Sequence, residues 1–350
     1  MSQSEVRATA SAYRKWRQVK DGIATTTITA GGIGVLFAIL LIFFYLLYEI
    51  MPLFQSASIK ADSQFTTASE SPALYLAMEE QAEIGFRLDS KGYAEFFQLS
   101  DGSVSSASDL PLQGADILSF ALESEQSRLF ALGLSDGKVL IAKHDYRTSY
   151  PNDQRLITPV LRYPYGEQAF LLAEDMPIEQ LGISDNDDAL IVIGISEGKL
   201  FGRRWVKEED FLSEEVTLSE EELLLPKLDI VPSRVLIGPA QQWLYVLAAD
   251  GGFRLIDLRK QVVTDRGYLF DNGKLSQARF LLGGISLLVA SDHGSVGQWF
   301  VVRDKERESG YKLQPVRDFE IPDGGSAALV TEHRRKGFVS ISPQGQLDLF

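Results

Sequence analysis

Hydrophobic and polar residues are distributed differently at the start of the chain and in the rest of it. Residues 22–48 contain no charged side chain, and the run from Ile28 to Tyr48 is almost wholly apolar. This run of 21 residues is about 31 Å long as an α-helix, close to the roughly 30 Å of hydrocarbon in a bilayer. The pattern predicts a transmembrane anchor helix over residues 22–50.

A cleavable signal peptide is the alternative interpretation of this segment. The apolar region of a signal peptide is usually about 7–15 residues long and ends at a small-x-small cleavage site. Here the apolar run is longer, and the sequence MPLFQ at residues 51–55 follows it without an Ala-x-Ala motif. We therefore expect an uncleaved anchor.

The predicted helix carries a stripe of small residues. Ala30, Gly34 and Ala38 repeat every four residues and therefore lie on one helix face. Small side chains at this spacing let a second membrane helix approach closely. We expect this face to pack against other membrane spans.

A different pattern begins at about residue 84 and repeats to the end of the chain. Each unit is an apolar strand-like run, a polar turn that contains glycine, and a second strand-like run. Asp-Gly and similar pairs supply the positive φ of tight hairpins. The turn glycines are 43 to 61 residues apart, which is typical of one four-stranded blade per unit. These repeat-turn glycines are Gly92, Gly137, Gly198, Gly251, Gly294 and Gly345.

The repeats predict an all-β domain, a β-propeller-like (WD-type) structure over residues 81–350. Residues 51–80 are expected to form a tether or a first strand. A pair of β-sandwiches is the alternative architecture, and the pattern leaves the number of blades open. Alternation of apolar and polar residues continues through GQLDLF at residues 345–350, so we expect the repeat domain to be incomplete at its carboxyl end.

Charge is also divided unevenly along the chain. Residues 1–21 hold five basic and two acidic residues, whereas residues 22–350 have a net charge of −17. Lys and Arg beside a membrane span tend to stay in the cytoplasm. The sequence therefore predicts a basic cytoplasmic segment, residues 1–21, and a large acidic domain on the other side of the membrane.

Overall composition excludes several classes of function. The 34 basic and 48 acidic residues give a net charge of −14, which argues against a nucleic-acid surface because such a surface needs clustered positive charge. The absence of cysteine excludes disulfide scaffolds, cysteine-ligated zinc, iron–sulfur clusters, thiol nucleophiles and a lipoprotein anchor.

An acidic segment at residues 207–222 interrupts the rhythm of the repeats. It follows the longest interval between units and contains three consecutive glutamates at residues 220–222. One interpretation is an insertion that docks a partner. The other, which we favour, is a solvated excursion between blades with a single helical turn.

Several short motifs are similar to binding or catalytic sequences but fit hairpin turns better. GISEGK at residues 194–199 has three residues rather than four between its glycines, unlike a phosphate loop, and GLSDGK at residues 133–138 nearly repeats it. Both also match G-x-S-x-G, but a strand rather than a helix is expected after the serine. SDNDDAL at residues 184–190 lacks the glycine and the glutamate of a calcium loop.

The three histidines, His144, His293 and His333, lie in different repeats and lack the spacing of a helical metal pair. We therefore predict no catalytic site, no metal site and no cofactor, and we do not expect an enzyme. A periplasmic propeller enzyme with polar groups around a metal or quinone in its central channel is the alternative in that class.

The amino-terminal region resembles a known family. The sequence TAGGIGVLFAILLIFFYLLYEIMPLFQSAS at residues 29–58 follows YRKWRQVKDG at residues 13–22. Together they are similar to the start of the long-form phosphate ABC transporter permease (PstC type) of Gram-negative bacteria. In that family a large periplasmic domain of propeller-like repeats follows the anchor, and the helical permease core comes after it. The resemblance implies a component of phosphate import in the bacterial inner membrane.

The resemblance also implies partners: other permease helices or a permease subunit, a periplasmic phosphate-binding protein and an ATPase subunit. The transport helices are absent from these 350 residues, so the family's transport residues have no positions here. A domain at −17 repels phosphate at long range. We therefore expect a docking or regulatory platform, with a membrane-tethered periplasmic scaffold for envelope assembly as the alternative.

Overall fold

The computed structural model describes residues 3–54, 63–67, 69–209, 216–281, 283–321, 326, 328–332 and 336–350. The chain divides into two compact units, Met1–Asp62 and Ser63–Phe350. Each unit is described by itself below.

The first unit is dominated by one long helix. Helix α1 (Gln3–Ile50) is followed by a short 3-10 helix (Met51–Phe54). The helix therefore includes most of the predicted basic segment as well as the apolar run. Within the described part of the chain, it is the one helix long and apolar enough to cross a membrane, with a mean hydropathy of 2.6 in its most apolar part.

The second unit contains six antiparallel sheets within the described ranges, and each sheet is one blade of a β-propeller. Blade 1 contains β1 (Ala73–Met78), β2 (Ile84–Asp89), β3 (Tyr93–Gln98) and β4 (Val104–Asp109). Blade 2 contains β5 (Ile117–Leu122), β6 (Leu129–Leu134), β7 (Lys138–Ser149), β8 (Leu156–Arg162) and the short β9 (Phe170–Leu171), which pairs with β7. Blade 3 contains β10 (Gln180–Asp185), β11 (Ala189–Ser196), β12 (Lys199–Glu209) and β13 (Val216–Glu222).

The remaining three blades follow in the same order. Blade 4 contains β14 (Pro232–Ile237), β15 (Trp243–Ala248), β16 (Gly252–Asp257) and β17 (Val262–Tyr268). Blade 5 contains β18 (Leu275–Leu281), β19 (Ser286–Ser291), β20 (Ser295–Arg303) and β21 (Tyr311–Glu320). Blade 6 contains β22 (Ala328–Thr331), β23 (Phe338–Ile341) and β24 (Leu347–Leu349).

The order of strands in the sheets confirms the predicted β-propeller and excludes the pair of sandwiches. Apart from the short β9, strands within a blade pair in the order of the sequence, as a simple meander. The blades follow one another along the chain. Such an arrangement leaves only short sheet edges exposed, which keeps a long all-β domain soluble.

The core lies between the blades rather than inside any one of them. The second strands β2, β6, β11 and β19 are buried at every position. Neighbouring blades cover both faces of β6, β11 and β19, whereas β2 is covered by blade 2 on one face and by the segment before β1 on the other. Five apolar clusters join the six blades in chain order. Each cluster has members from two consecutive blades: Phe86 and Phe130, Ile141 and Ile183, Ile193 and Val246, Leu247 and Val289, and Leu288 and Leu329.

The segment before β1 packs on the face of blade 1 that points away from blade 2. The ring of Phe65 contacts that of Phe97 edge to face, with centroids 5.6 Å apart. The Arg87 guanidinium donates to the carbonyl of Ser71 and, at 3.2 Å, to the carboxylate of Glu95. This part of the region predicted as a tether or first strand is thus attached to the propeller.

The described parts of the acidic segment form strands rather than the solvated excursion with a helical turn that the sequence suggested. Residues 207–209 end β12 and residues 216–222 form β13, the outer pair of blade 3, while residues 210–215 lie outside the described residues. Arg204 is opposite Glu221 in the register, and their side chains pair at 3.1 Å. Opposite charges on facing strands stabilise the pairing, so this charge run forms an exposed outer strand.

Candidate docking surfaces of the propeller

The first strands of the blades lie closest to the propeller axis. Strand β10 contacts both β5 and β14, and β18 contacts β22. Thr331 of blade 6 donates through Oγ1 to the carboxylate of Glu125 in blade 2 at 3.4 Å. Blades 2 and 6 are not consecutive, so this contact crosses the interior of the propeller.

Two arginines line the same interior. Arg234 on β14 donates to the amide oxygen of Gln277 at 3.5 Å. Burial lowers the pKa of Arg234, and the positive charge of Arg279 on β18 lowers it further. The side chain of Arg279 is exposed to the open channel, but desolvation by the surrounding protein lowers its pKa, while the negative charge of Glu125 acts in the opposite direction. Guanidinium groups pair well with carboxylates, so this part of the channel suits acidic groups, of which Glu125 is one.

His144 on β7 lies in the contact between blades 1 and 2. Its ring stacks on Phe86 with centroids 4.6 Å apart, and its Nε2 is 3.2 Å from the hydroxyl of Tyr75. Burial, followed by the positive charge of Arg128, lowers the pKa of His144 to about 3. The side chain is therefore neutral at physiological pH and serves to pack two blades together.

A polar cleft of about 250 Å³ lies between blades 3 and 4. Arg204 and Glu221, paired with each other, form part of its wall. Gln241 donates to the carbonyls of Ser184 and Ala189 at 3.1 and 2.7 Å. These bonds join the two blades, so the cleft is part of the contact between blades 3 and 4.

Blade 6 presents a different kind of surface. It has three strands among the described residues. Leu329 and Phe338 pack against blade 5. The opposite face carries Val330, Leu347 and Leu349, whose exposed fractions are 55%, 46% and 72%. This second face is apolar and open to solvent.

The structure places the predicted turn glycines at equivalent positions without gathering them into one site. Each lies in the turn between the second and third strand of its blade, with φ between 73° and 91°. Because the blades share one strand order, these turns are at the same end of the propeller. The small residues Ala30, Gly34 and Ala38 lie on the exposed helix α1 of the other unit.

The motifs that are similar to binding loops lie in hairpins. In the turn between β10 and β11, the Asn186 side chain accepts from the backbone N–H groups of Asp188 and Ala189 at 3.0 and 2.8 Å. His144 and His293 lie in different blades, and His333 is outside the described residues. No group of three or more potential metal ligands occurs in the described ranges.

Sequence reasoning missed the polar groups of the channel. Arg234 in PSRVLI and Arg279 in LSQARFL are single basic residues inside the apolar first strands of successive blades. The two arginines are not at equivalent positions, because Arg234 corresponds to Gln277 and Arg279 to Leu236 in the registers of the two blades, so a charged side chain inside an apolar strand is the only local signal that they left.

Comparisons with known proteins concern the fold alone. No protein-family model and no curated protein matches the sequence. The β-propeller domain of Myceliophteria thermophila Cps50 (Swd1) is similar over 81% of this chain and 87% of that one, with 11% identity and a TM-score of 0.47. BBS1N, solved in complex with ARL6DN, is similar over 79% and 78%, with 13% identity and a TM-score of 0.48. Neither similarity bears on function.

Proposed function

We propose that the protein is an inner-membrane component of a phosphate ABC transporter and that its propeller is a docking or regulatory platform on the periplasmic side. The observation that carries the proposal is the anchor sequence at residues 29–58, which resembles that of PstC-type permeases. The propeller that follows this anchor is the kind of domain that the resemblance implies.

The charge distribution supports the orientation. Residues 1–21 of the chain contain five basic residues, and the apolar stretch of the helix follows them. Positive charge favours the cytoplasmic side. In this orientation the propeller is periplasmic, and the stripe of Ala30, Gly34 and Ala38 is available to permease helices within the bilayer.

The surface of the propeller supports docking rather than capture of phosphate. Residues 22–350 have a net charge of −17, which repels a phosphate anion at long range. Within the channel, desolvation lowers the pKa of Arg279, and the nearby carboxylate of Glu125 opposes this shift. A separate binding protein would therefore capture phosphate, and the propeller would contact that protein.

Two binding measurements on the full chain in lipid nanodiscs test this division of labour. Surface plasmon resonance with the periplasmic phosphate-binding protein of the same organism should show saturable binding, and an unrelated periplasmic binding protein of similar charge serves as the control. Calorimetry with inorganic phosphate should show no heat of binding. Micromolar phosphate binding by the chain would overturn the platform role. Failure of the phosphate-binding protein to associate, whether loaded or free, would favour an envelope scaffold instead.

A further inference from the structure

The connection between β17 and β18 contains the one Asn-Gly pair of the chain, in the sequence DNGK at residues 271–274. Asn272 is exposed and lies in a bend outside the strands. Its side-chain amide and the backbone N–H of Gly273 have no hydrogen-bond partner among the described residues. Neighbouring groups that can react with each other are therefore both unrestrained at this position.

The Asp-Gly hairpin turns of the propeller differ in this respect. The backbone N–H groups of Gly102, Gly137 and Gly251 each donate to a carbonyl oxygen of the preceding strand, at 2.9, 3.3 and 3.1 Å. A nitrogen in such a bond cannot attack the side chain before it until the turn has opened. Gly273 lacks this restraint.

The other two asparagines of the chain, Asn152 and Asn186, are in less reactive settings. An aspartate follows each of them, and its Cβ hinders approach to the backbone nitrogen, whereas glycine has no Cβ. The side chain of Asn186 is also held, because its Oδ1 accepts from the backbone N–H groups of Asp188 and Ala189 at 3.0 and 2.8 Å. These two asparagines are internal controls for Asn272.

We propose that Asn272–Gly273 is a site of spontaneous deamidation in the folded protein. The backbone nitrogen of Gly273 bonds to Cγ of Asn272 as the bond from Cγ to Nδ2 breaks, and the proton of that N–H leaves with Nδ2 as ammonia. Water, the one co-reactant, then opens the succinimide ring at either carbonyl and yields aspartate or isoaspartate. This inference goes beyond the proposed function, because it holds whether or not the protein serves phosphate import.

The modification would weaken the attachment of this connection to the turn between β19 and β20. The backbone N–H of Lys274 donates to Oδ1 of Asp292 at 2.7 Å, and the N–H of Asp292 donates to the carbonyl of Lys274 at 2.9 Å. Isoaspartate adds a methylene to the main chain just before these bonds. Either product also adds a negative charge close to Asp292, whose Oδ1 would lie 2.7 Å from a Cβ on Gly273, and like charges repel.

Peptide mapping of the full chain in nanodiscs tests the site. After incubation at neutral pH, trypsin releases residues 267–274 as one peptide, and mass spectrometry measures the conversion of the amide to an acid. Asn272 should convert about tenfold faster than Asn152 or Asn186, because no Cβ opposes ring closure. Mildly alkaline pH should speed the conversion, since the attacking nitrogen must lose its proton. Equal conversion of the three asparagines overturns the proposal.

Asp250→Asn is the matched variant. It creates a second Asn-Gly pair, in a turn where the N–H of Gly251 donates to the carbonyl of Ala248 at 3.1 Å. Conversion there should be about tenfold slower than at Asn272, because one hydrogen bond must open first. Equal rates in the folded variant, as shown by circular dichroism, overturn the role of the unbonded nitrogen. The comparison within the wild type does not depend on the folding of this variant.

Hydrogen exchange tests the structural consequence. After incubation, the backbone amides of Lys274 and Asp292 should exchange about tenfold faster than in fresh protein, which corresponds to the loss of one hydrogen bond. Asn272→Gln is the control, because its longer side chain would have to close a larger, less favourable ring, and its exchange should not change on incubation. Unchanged exchange in wild-type protein whose Asn272 has converted overturns the weakened attachment.

Discussion

The hydroxyl of Tyr75 lies 3.2 Å from Nε2 of His144 and links the first strand of blade 1 to the third strand of blade 2. The histidine ring is buried, and its Nδ1 has no hydrogen-bond partner among the described residues. A buried imidazole in this setting packs well only while it is neutral. The contact between the two blades is therefore sensitive to acid.

We predict that the propeller loses stability on acidification through His144. The unfolded chain takes up the proton below about pH 6.5, whereas the pKa of folded His144 is about 3. The stabilisation is thus complete above pH 6.5 and is lost as the pH falls towards 3. Urea unfolding should show that the wild type loses about 2 kcal/mol more than His144→Phe between pH 7 and pH 5. The exposed His293→Gln variant is the control, and equally steep curves for the wild type and His144→Phe would contradict the prediction.

Replacement of only one partner of the ion pair between Arg87 and Glu95 should destabilise the protein strongly. Its side chains are only 6% and 1% exposed. Arg87→Met leaves a buried carboxylate without its partner and should lower the free energy of unfolding by about 3–5 kcal/mol. Arg87→Met combined with Glu95→Leu should recover most of this loss in the same urea titration.

A pair on the surface is the control for that experiment. Arg203 and Glu220 also form an ion pair, but their side chains are 38% and 48% exposed. Because water screens such a pair, Arg203→Met should cost no more than about 1 kcal/mol. If Arg87→Met and Arg203→Met lowered the free energy of unfolding by similar amounts, the ion pair of blade 1 would not be the buried contact described above.

Two turn glycines should respond differently to alanine. Both Gly137 and Gly198 have positive φ, of 81° and 73°. A Cβ at Gly137 would lie 1.8 Å from the carbonyl oxygen of Ala173, whereas a Cβ at Gly198 meets nothing within 4 Å. Gly198→Ala should therefore cost about 1–2 kcal/mol, and Gly137→Ala substantially more. Equal melting temperatures of the two variants would contradict this difference.

The inner parts of the blades are predictable from the sequence because their environment is uniform. Second strands such as β11 are covered on both faces and are continuous apolar runs. The turn after each of them needs a positive φ, which glycine supplies most easily. Burial and turn geometry thus leave a local signal that repeats in every blade.

The outer strands and the channel leave a weaker signal. Strand β4, with the sequence VSSASD, is exposed at every position, so it lacks the alternation that marks a half-buried strand. Three of the seven residues of β13 are glutamates, and Glu220 and Glu221 pair with Arg203 and Arg204 of β12. The proximity of Glu125 to Thr331 depends on residues 206 positions apart, and no local pattern reports such a contact.

The orientation in the membrane can be tested with single cysteines, because the natural chain has none. Ser105→Cys lies at an exposed position of blade 1, and Ser4→Cys lies in the basic segment. A membrane-impermeant maleimide applied to intact spheroplasts should label Ser105→Cys, and it should label Ser4→Cys only after lysis. The reverse pattern would place the propeller in the cytoplasm.

The rate of phosphate uptake at low external phosphate tests the central claim most directly. In the native host, deletion of the gene should lower the initial rate of radiolabelled phosphate uptake, and the intact gene should restore it. A gene that keeps residues 1–62 but lacks the propeller should not restore the rate, because the docking platform is missing. Unchanged uptake after deletion of the gene would contradict a role in phosphate import.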